Sequence, residues 1–193
     1  MNICVYGASS NVIDEKYIKA GEELGRLMAK EGHTLVFGGG AAGLMGAVAR
    51  GAKEGGGKVI GVAPSFFNVD GILFEDCDEF IYTETMRERK EKMEKLSDAF
   101  LMTAGGIGTF EEFFEILTLR QLGRHSKPIA ILNTDGYFDS LIALLDRAID
   151  EKFMTEANRK IFAMETTPEK ALALLTSGEI FAGDISEFKS IGK

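Results

Sequence analysis

From Asn2 the chain runs apolar through "NICVY" and breaks at Gly7 into the small polar residues of "GASS". A strand buried on both faces does this before a loop that carries function. Between Asp14 and Glu31 the period changes, because Tyr17, Gly21, Leu24, Leu27 and Met28 fall on one side of a helix. The alternation then repeats. Strand "HTLVF" precedes a helix over Leu44 to Glu54, strand "KVIGVAP" precedes a less regular stretch through Asp76, and strand "EFIYT" precedes a charged helix from Thr85 to Ser97. Strand "AFLMT", a glycine loop and a helix over Thr109 to Leu122 follow. Strand "PIAIL", a helix over Phe138 to Glu151 and a capped helix in "TPEKALALLTSG" complete the pattern. Such regular alternation predicts an α/β fold, a Rossmann-like parallel sheet flanked by helices on both faces and joined by right-handed crossovers. Ligands in such sheets bind at the carboxyl ends of the strands, where the glycines of this chain lie.

At 193 residues, with no shift in composition, the expectation is a single domain over residues 1–193. A formal charge of -8 argues against a nucleic-acid polymer as partner, since a duplex binder needs a basic face. Basic residues that do cluster must then serve small anions. Cys4 and Cys77 stand among apolar residues in no disulfide or zinc pattern, so neither metal nor cofactor is expected. Nothing reads as a signal peptide or a membrane span, so the expected setting is the reducing cytoplasm, with no membrane partner.

Two glycine loops carry candidate chemistry. "FGGGAAGLMG" holds G-x-G-x-x-G at Gly38, Gly40 and Gly43, after a strand and before a helix, as in a dinucleotide site. The ribose-binding acid about 20 residues on is missing, so close helix–strand packing competes with that reading. No P-loop signature is present. In "TAGGIGTFEEF" the amides at the start of a helix would face an anion that only glycine lets approach closely. Thr109 and Glu112 also spell T-x-x-E, a capping box, and Glu111 suits a first turn through the helix dipole.

In "TMRERKEKMEKLSD", Met86, Met93 and Leu96 form a helical stripe that Arg89 shares, so Arg89 points inward. An inward guanidinium needs an anion, either a ligand or a structural partner such as Glu112. Lys90 flanks the same face, while Arg87, Glu88, Glu91, Glu94 and Lys95 fall mainly outside. The helix over Thr109 to Leu122 is apolar nearly all round, through Phe110, Phe113, Phe114, Ile116, Leu117 and Leu119. Its second cover is expected to be another copy of the chain, in a homodimer.

"MRERK" followed by "GGIGTFEE" resembles the M-x-x-R-K and P-G-G-x-G-T-x-x-E signatures of the LOG (lonely guy) family. These are cytokinin riboside 5'-monophosphate phosphoribohydrolases, also described as possible lysine decarboxylases. The similarity extends through "CVYGASS", "LVFGGGAAGLMGAVA", "VIGVAP", "LTLRQLGRHSKP" and "ILNTDGYFD". It implies hydrolysis of the N-glycosidic bond of adenosine 5'-monophosphate or its N6-prenylated form, a purine nucleoside monophosphate substrate. It also implies catalytic roles for Arg89 and Glu112, and nucleotide contacts from Lys90, Gly105, Gly106, Ile107, Gly108, Thr109 and Thr118. Ser9, Gly39 and Glu111 complete the candidates for substrate binding. The chain departs from the signature at Ala104, where the family has proline, and "SFFNVDGILFEDCDE" matches poorly. A pyridoxal-dependent decarboxylase would need a Schiff-base lysine with ring and phosphate partners, and Lys127 in "RHSKP" has no such setting. Two other readings stay open: a nucleotide-binding or molybdenum-cofactor-carrier module of the same Rossmann-like group, and a dehydrogenase using Gly38 to Gly43.

Overall fold

The computed structural model describes residues 1–69 and 71–178; residues 179–193 of the expected domain lie outside the described residues. The strands are β1 (Asn2–Tyr6), β2 (Thr34–Phe37), β3 (Val59–Pro64), β4 (Glu79–Thr83), β5 (Ala99–Met102), β6 (Ile129–Leu132) and β7 (Ala163–Glu165). They form one sheet in the order β4-β3-β2-β1-β5-β6-β7, and every pairing is parallel. The helices are α1 (Glu15–Lys30), α2 (Gly43–Glu54), α3 (Met86–Leu96), α4 (Ile107–Gln121), α5 (Asp139–Asp150), α6 (Glu156–Lys160) and α7 (Pro168–Thr176).

Alternate residues of each strand feed two separate cores. Ile3 and Val5 of β1, with Ala99 and Leu101 of β5, pack beneath α1, α2 and α7. Cys4 and Tyr6, with Phe100 and Met102, pack beneath α3, α4, α5 and α6. The sheet is therefore covered on both faces, as the unbroken apolar runs predicted. Burial pushes the Cys4 thiol up to about 12, so it remains a protonated core residue.

Connectivity fixes where a ligand can sit. From β1 the chain moves outward through β2, β3 and β4, then returns to place β5 on the other side of β1. The two crossover directions diverge at the carboxyl ends of β1 and β5, leaving a crevice between their loops. There the Ala8 N–H donates to the Ala104 carbonyl at 3.0 Å, and the Thr103 hydroxyl donates to the Tyr6 carbonyl at 2.8 Å. Ala104 uses its carbonyl here, an acceptor that proline also has.

Three elements differ from the sequence expectation. Helix α4 begins at Ile107, with Gly106 as its N-cap, so Thr109 lies inside the first turn and caps nothing. A capping box forms instead at α3, where Thr85 and Glu88 bond reciprocally. Helix α6 and edge strand β7 had no counterpart in the pattern, because five and three residues are too few to show a period.

Helices α1 and α2 meet backbone to backbone. A Cβ on Gly25 would lie 2.1 Å from the Val48 carbonyl oxygen, and one on Gly51 would lie 2.0 Å from that of Glu22. Gly25→Ala should cost about 2 kcal/mol even though alanine is the better helix former. Thermal unfolding should show the midpoint falling by roughly 5 °C; an unchanged midpoint would mean that the helices are free to separate there.

Candidate active site

A cleft of about 750 Å³ opens at the β1/β5 crevice. Gly7 to Ser10 from β1, Gly38 and Gly40 from β2, and Gly106 to Thr109 from α4 form its polar side. Phe67, Ile72, Leu73, Met86 and Ile107 line it with apolar surface. The segment after β3 is held in place when the Ala41 N–H donates to the Ile72 carbonyl and the Phe74 N–H to the Gly39 carbonyl, at 2.9 and 2.8 Å.

The two glycine loops differ in how far their helix amides are occupied. At α2 the Gly43 N–H donates to Asn11 Oδ1 at 2.8 Å and the Met45 N–H to the Ala8 carbonyl at 3.1 Å. Those bonds occupy donors that a dinucleotide pyrophosphate would require. At α4 the first intrahelical bond runs from Phe110 N–H to the Gly106 carbonyl at 3.0 Å. The amides of Ile107, Gly108 and Thr109 have no carbonyl one turn back, and all three residues line the cleft. Of the two turns, α4 is therefore the one that offers a run of free amides at the cleft.

Beneath that turn lies a buried ion pair. Arg89 Nη1 stands 2.5 Å from Glu112 Oε1, with 8% and 12% of the two side chains exposed. Arg89 Nε donates to the Val62 carbonyl at 3.1 Å. A Cβ on Gly38 would fall 2.0 Å from Arg89 Nη2, so glycine is what lets the guanidinium pass the loop. Burial pushes the Glu112 carboxyl above its ordinary range, against the pull of Arg89, and the neighbouring Glu111 adds to the rise. Among the described residues no protein donor meets Glu112 Oε2. That oxygen is left to bind water or substrate.

The cleft brings together Ser9, Gly106, Ile107, Gly108, Thr109, Arg89 and Glu112. Five other candidates lie elsewhere. Gly39 is buried with φ +78° and has the Phe80 ring where a Cβ would stand. Gly105 is buried, its carbonyl accepting from the Tyr137 hydroxyl at 2.6 Å. Lys90 Nζ is engaged by Glu111 at 2.5 Å and Glu115 at 2.7 Å, in a second hollow of about 470 Å³ between α3 and α4. Glu111 thus faces away from the cleft, and Glu112 lines both hollows. Thr118 is exposed nine residues beyond Thr109, about 14 Å along the helix. The apolar wall of Phe67, Ile72 and Leu73 lies in "SFFNVDGILFEDCDE", where the resemblance implies base-proximal residues but an irregular stretch without a period singles out none of them.

The sequence profile of the family described as "Possible lysine decarboxylase" matches residues 45–175. The chain is also 38% identical over 173 residues to a cytokinin riboside 5'-monophosphate phosphoribohydrolase of Arabidopsis thaliana, covering 90% of this chain and 81% of that protein. With the LOG phosphoribohydrolase of Oryza sativa subsp. japonica it shares 40% identity, covering 89% and 72%. The chain belongs to the LOG family of phosphoribohydrolases. Beyond LOG proteins, it resembles the solved molybdenum cofactor binding protein of Rippkaea orientalis, with TM-score 0.69 and 28% identity over 91% of this chain and 95% of that one. The Moco carrier protein of Chlamydomonas reinhardtii gives TM-score 0.69 and 25% identity, with the same coverage.

The decarboxylase description of the LOG family finds no support in Lys127. Its ammonium donates to the Glu94 carbonyl at 2.6 Å, in the last turn of α3, and stands 5.8 Å from the centre of the Phe100 ring. It is committed to holding a helix end.

The raised Glu112 carboxyl makes a signed prediction. The folded protein holds that proton more tightly than the unfolded chain, so the contribution favours folding in acid and is lost as pH rises from 4.5 through the raised value. Glutamine does not titrate. The unfolding free energy of Glu112→Gln minus that of the parent, measured in urea, should therefore increase between about pH 4 and pH 7. A difference that falls over the same interval would mean that Arg89 holds the carboxyl below its ordinary value.

Proposed function

We propose that this chain hydrolyses the N-glycosidic bond of adenosine 5'-monophosphate or its N6-prenylated form, releasing free base and ribose 5-phosphate. The observation that carries the reading is the buried Arg89–Glu112 pair lying directly under the open amides of α4. The names and identities of the plant relatives support the same reaction. The 5'-phosphate sits on the amides of Gly106 to Thr109, where helix dipole and free donors coincide. The ribose then lies over Glu112, and the base extends toward the apolar wall of Phe67, Ile72 and Met86.

As the bond from ribose to base breaks, its electron pair leaves with the base and positive charge grows on the sugar. Glu112 faces that charge with a carboxylate, which stabilises the oxocarbenium-like state. Its free Oε2 accepts a proton from the water that attacks the anomeric carbon; the sugar gains hydroxide and the departing base gains a proton. Arg89 keeps Glu112 ionised against the cost of burial and fixes its rotamer. One carboxylate suffices, because Glu111 points about 100° away and is bound to Lys90.

The working unit is a cytoplasmic homodimer. Phe110, Phe114 and Leu119 on α4 are half-buried, while Ile107 and Leu122 are 87% and 55% exposed. An apolar helix left open in this way is suited to cover by a second copy. Thr118 is out of reach of the cleft in its own chain, so a nucleotide contact from it requires that copy. No helix among the described residues is long and apolar enough to cross a membrane.

A second reading, a carrier that binds without cleaving, is favoured by the likeness to the molybdenum cofactor proteins. Incubation with adenosine monophosphate and an N6-prenylated analogue separates the two. The enzyme reading expects free base and ribose 5-phosphate in equal amounts. Glu112→Gln should then lower kcat by about 10²- to 10³-fold with KM changed only a few-fold. Tight binding of nucleotide by folded parent protein without products would establish the carrier instead.

A further inference from the structure

Tyr137 follows a tight turn at Thr134–Gly136 that is braced from several sides. Asn133 Oδ1 accepts from the Phe138 N–H and Asn133 Nδ2 donates to Asp139 Oδ1, both at 2.7 Å. Asp135 adopts φ +54° and forms an ion pair with Lys16 of α1. The Tyr137 ring meets Tyr17 and Phe138 edge-on, with centroids 5.7 and 4.9 Å apart. So held, its hydroxyl donates to the Gly105 carbonyl at 2.6 Å. Tyr137 is outside the cleft lining, whereas Gly106 is part of it.

A trans peptide is planar, with its carbonyl and its N–H pointing in opposite directions. Turning the Gly105 carbonyl toward Tyr137 therefore turns the Gly106 N–H away from Tyr137 and toward the cleft. Among the described residues no protein acceptor meets that N–H. With glycine on both sides of the bond, the chain itself does little to fix the peptide's orientation.

We propose that Tyr137 is a positioning residue that locks the Gly105–Gly106 peptide, so that the Gly106 amide joins those of Ile107, Gly108 and Thr109 on a substrate phosphate. This rests on the reading of the cleft as a nucleoside 5'-phosphate site. Tyr137 touches no substrate; it acts through the backbone it holds.

Tyr137→Phe removes the hydroxyl and keeps the ring packing. Titration calorimetry with ribose 5-phosphate and with adenosine, on parent and variant of matched unfolding midpoint, reads the effect. The variant should bind ribose 5-phosphate about tenfold more weakly, with adenosine unchanged within about twofold. Equal ribose 5-phosphate affinity in both proteins overturns the role of Tyr137 and leaves the phosphate site intact. A loss shared equally by adenosine overturns it as well, since only a general structural role would produce that. Parent protein that binds no ribose 5-phosphate removes the phosphate reading and this inference together.

Discussion

A guanidinium and a carboxylate 2.5 Å apart, both about nine-tenths removed from solvent, are the constraint around which the rest of this molecule is arranged. Either ion alone would cost several kcal/mol to bury. The fold meets that cost with the pair itself, with the Val62 carbonyl on Arg89 Nε, and with a glycine at position 38 that leaves the guanidinium room. Replacing such a pair by apolar residues is often neutral or better for stability. Stability is thus a weak reason for the pair to exist. A half-committed carboxylate at the edge of a cleft, its second oxygen without a protein donor among the described residues, is better accounted for by function.

Topology explains why the pair and the α4 glycine turn are neighbours. Both depend on β5 lying beside β1, which places α4 over the crevice, while α3 lies on the same face of the sheet as α4. The β1 loop contributes Ser9 and Ser10, and the bond from Ala8 to Ala104 ties it to the loop after β5. Positive partial charge at the α4 N-terminus and negative charge at Glu112 then sit one turn apart, matched to the two ends of a ribose 5-phosphate. The two acids following the glycine turn are separated, because Glu111 is turned to Lys90 and Glu112 to Arg89.

Much of this was legible in the sequence. Buried parallel strands are unbroken apolar runs, and the inward set of Arg89 followed from its sharing a stripe with Met93, which is fully buried. What the sequence left open was decided by contacts distant along the chain. Thr85 to Glu88 and Thr109 to Glu112 both spell T-x-x-E, and of these two only the first is a capping box. In the second, the helix begins two residues earlier on bare glycine, and Glu112 is drawn 23 positions back to Arg89. Local pattern does not distinguish the two. The Tyr137 bond to Gly105 spans 32 positions and has no periodic signature at all. Lys90 and Glu111 stood next to the catalytic candidates in sequence but pair with each other outside the cleft. Adjacent helical positions diverge by about 100°, so neighbours in a motif need not share a site.

The central claim is that one nucleotide spans two places, its phosphate on the α4 amides and its anomeric carbon over position 112. A crystal structure of Glu112→Gln soaked with adenosine 5'-monophosphate tests it directly. The account predicts phosphate oxygens within hydrogen-bond distance of the Gly106 to Thr109 amides and the ribose against the substituted side chain at position 112. Phosphate on the Gly38 to Gly43 loop, with the ribose remote from position 112, would contradict it.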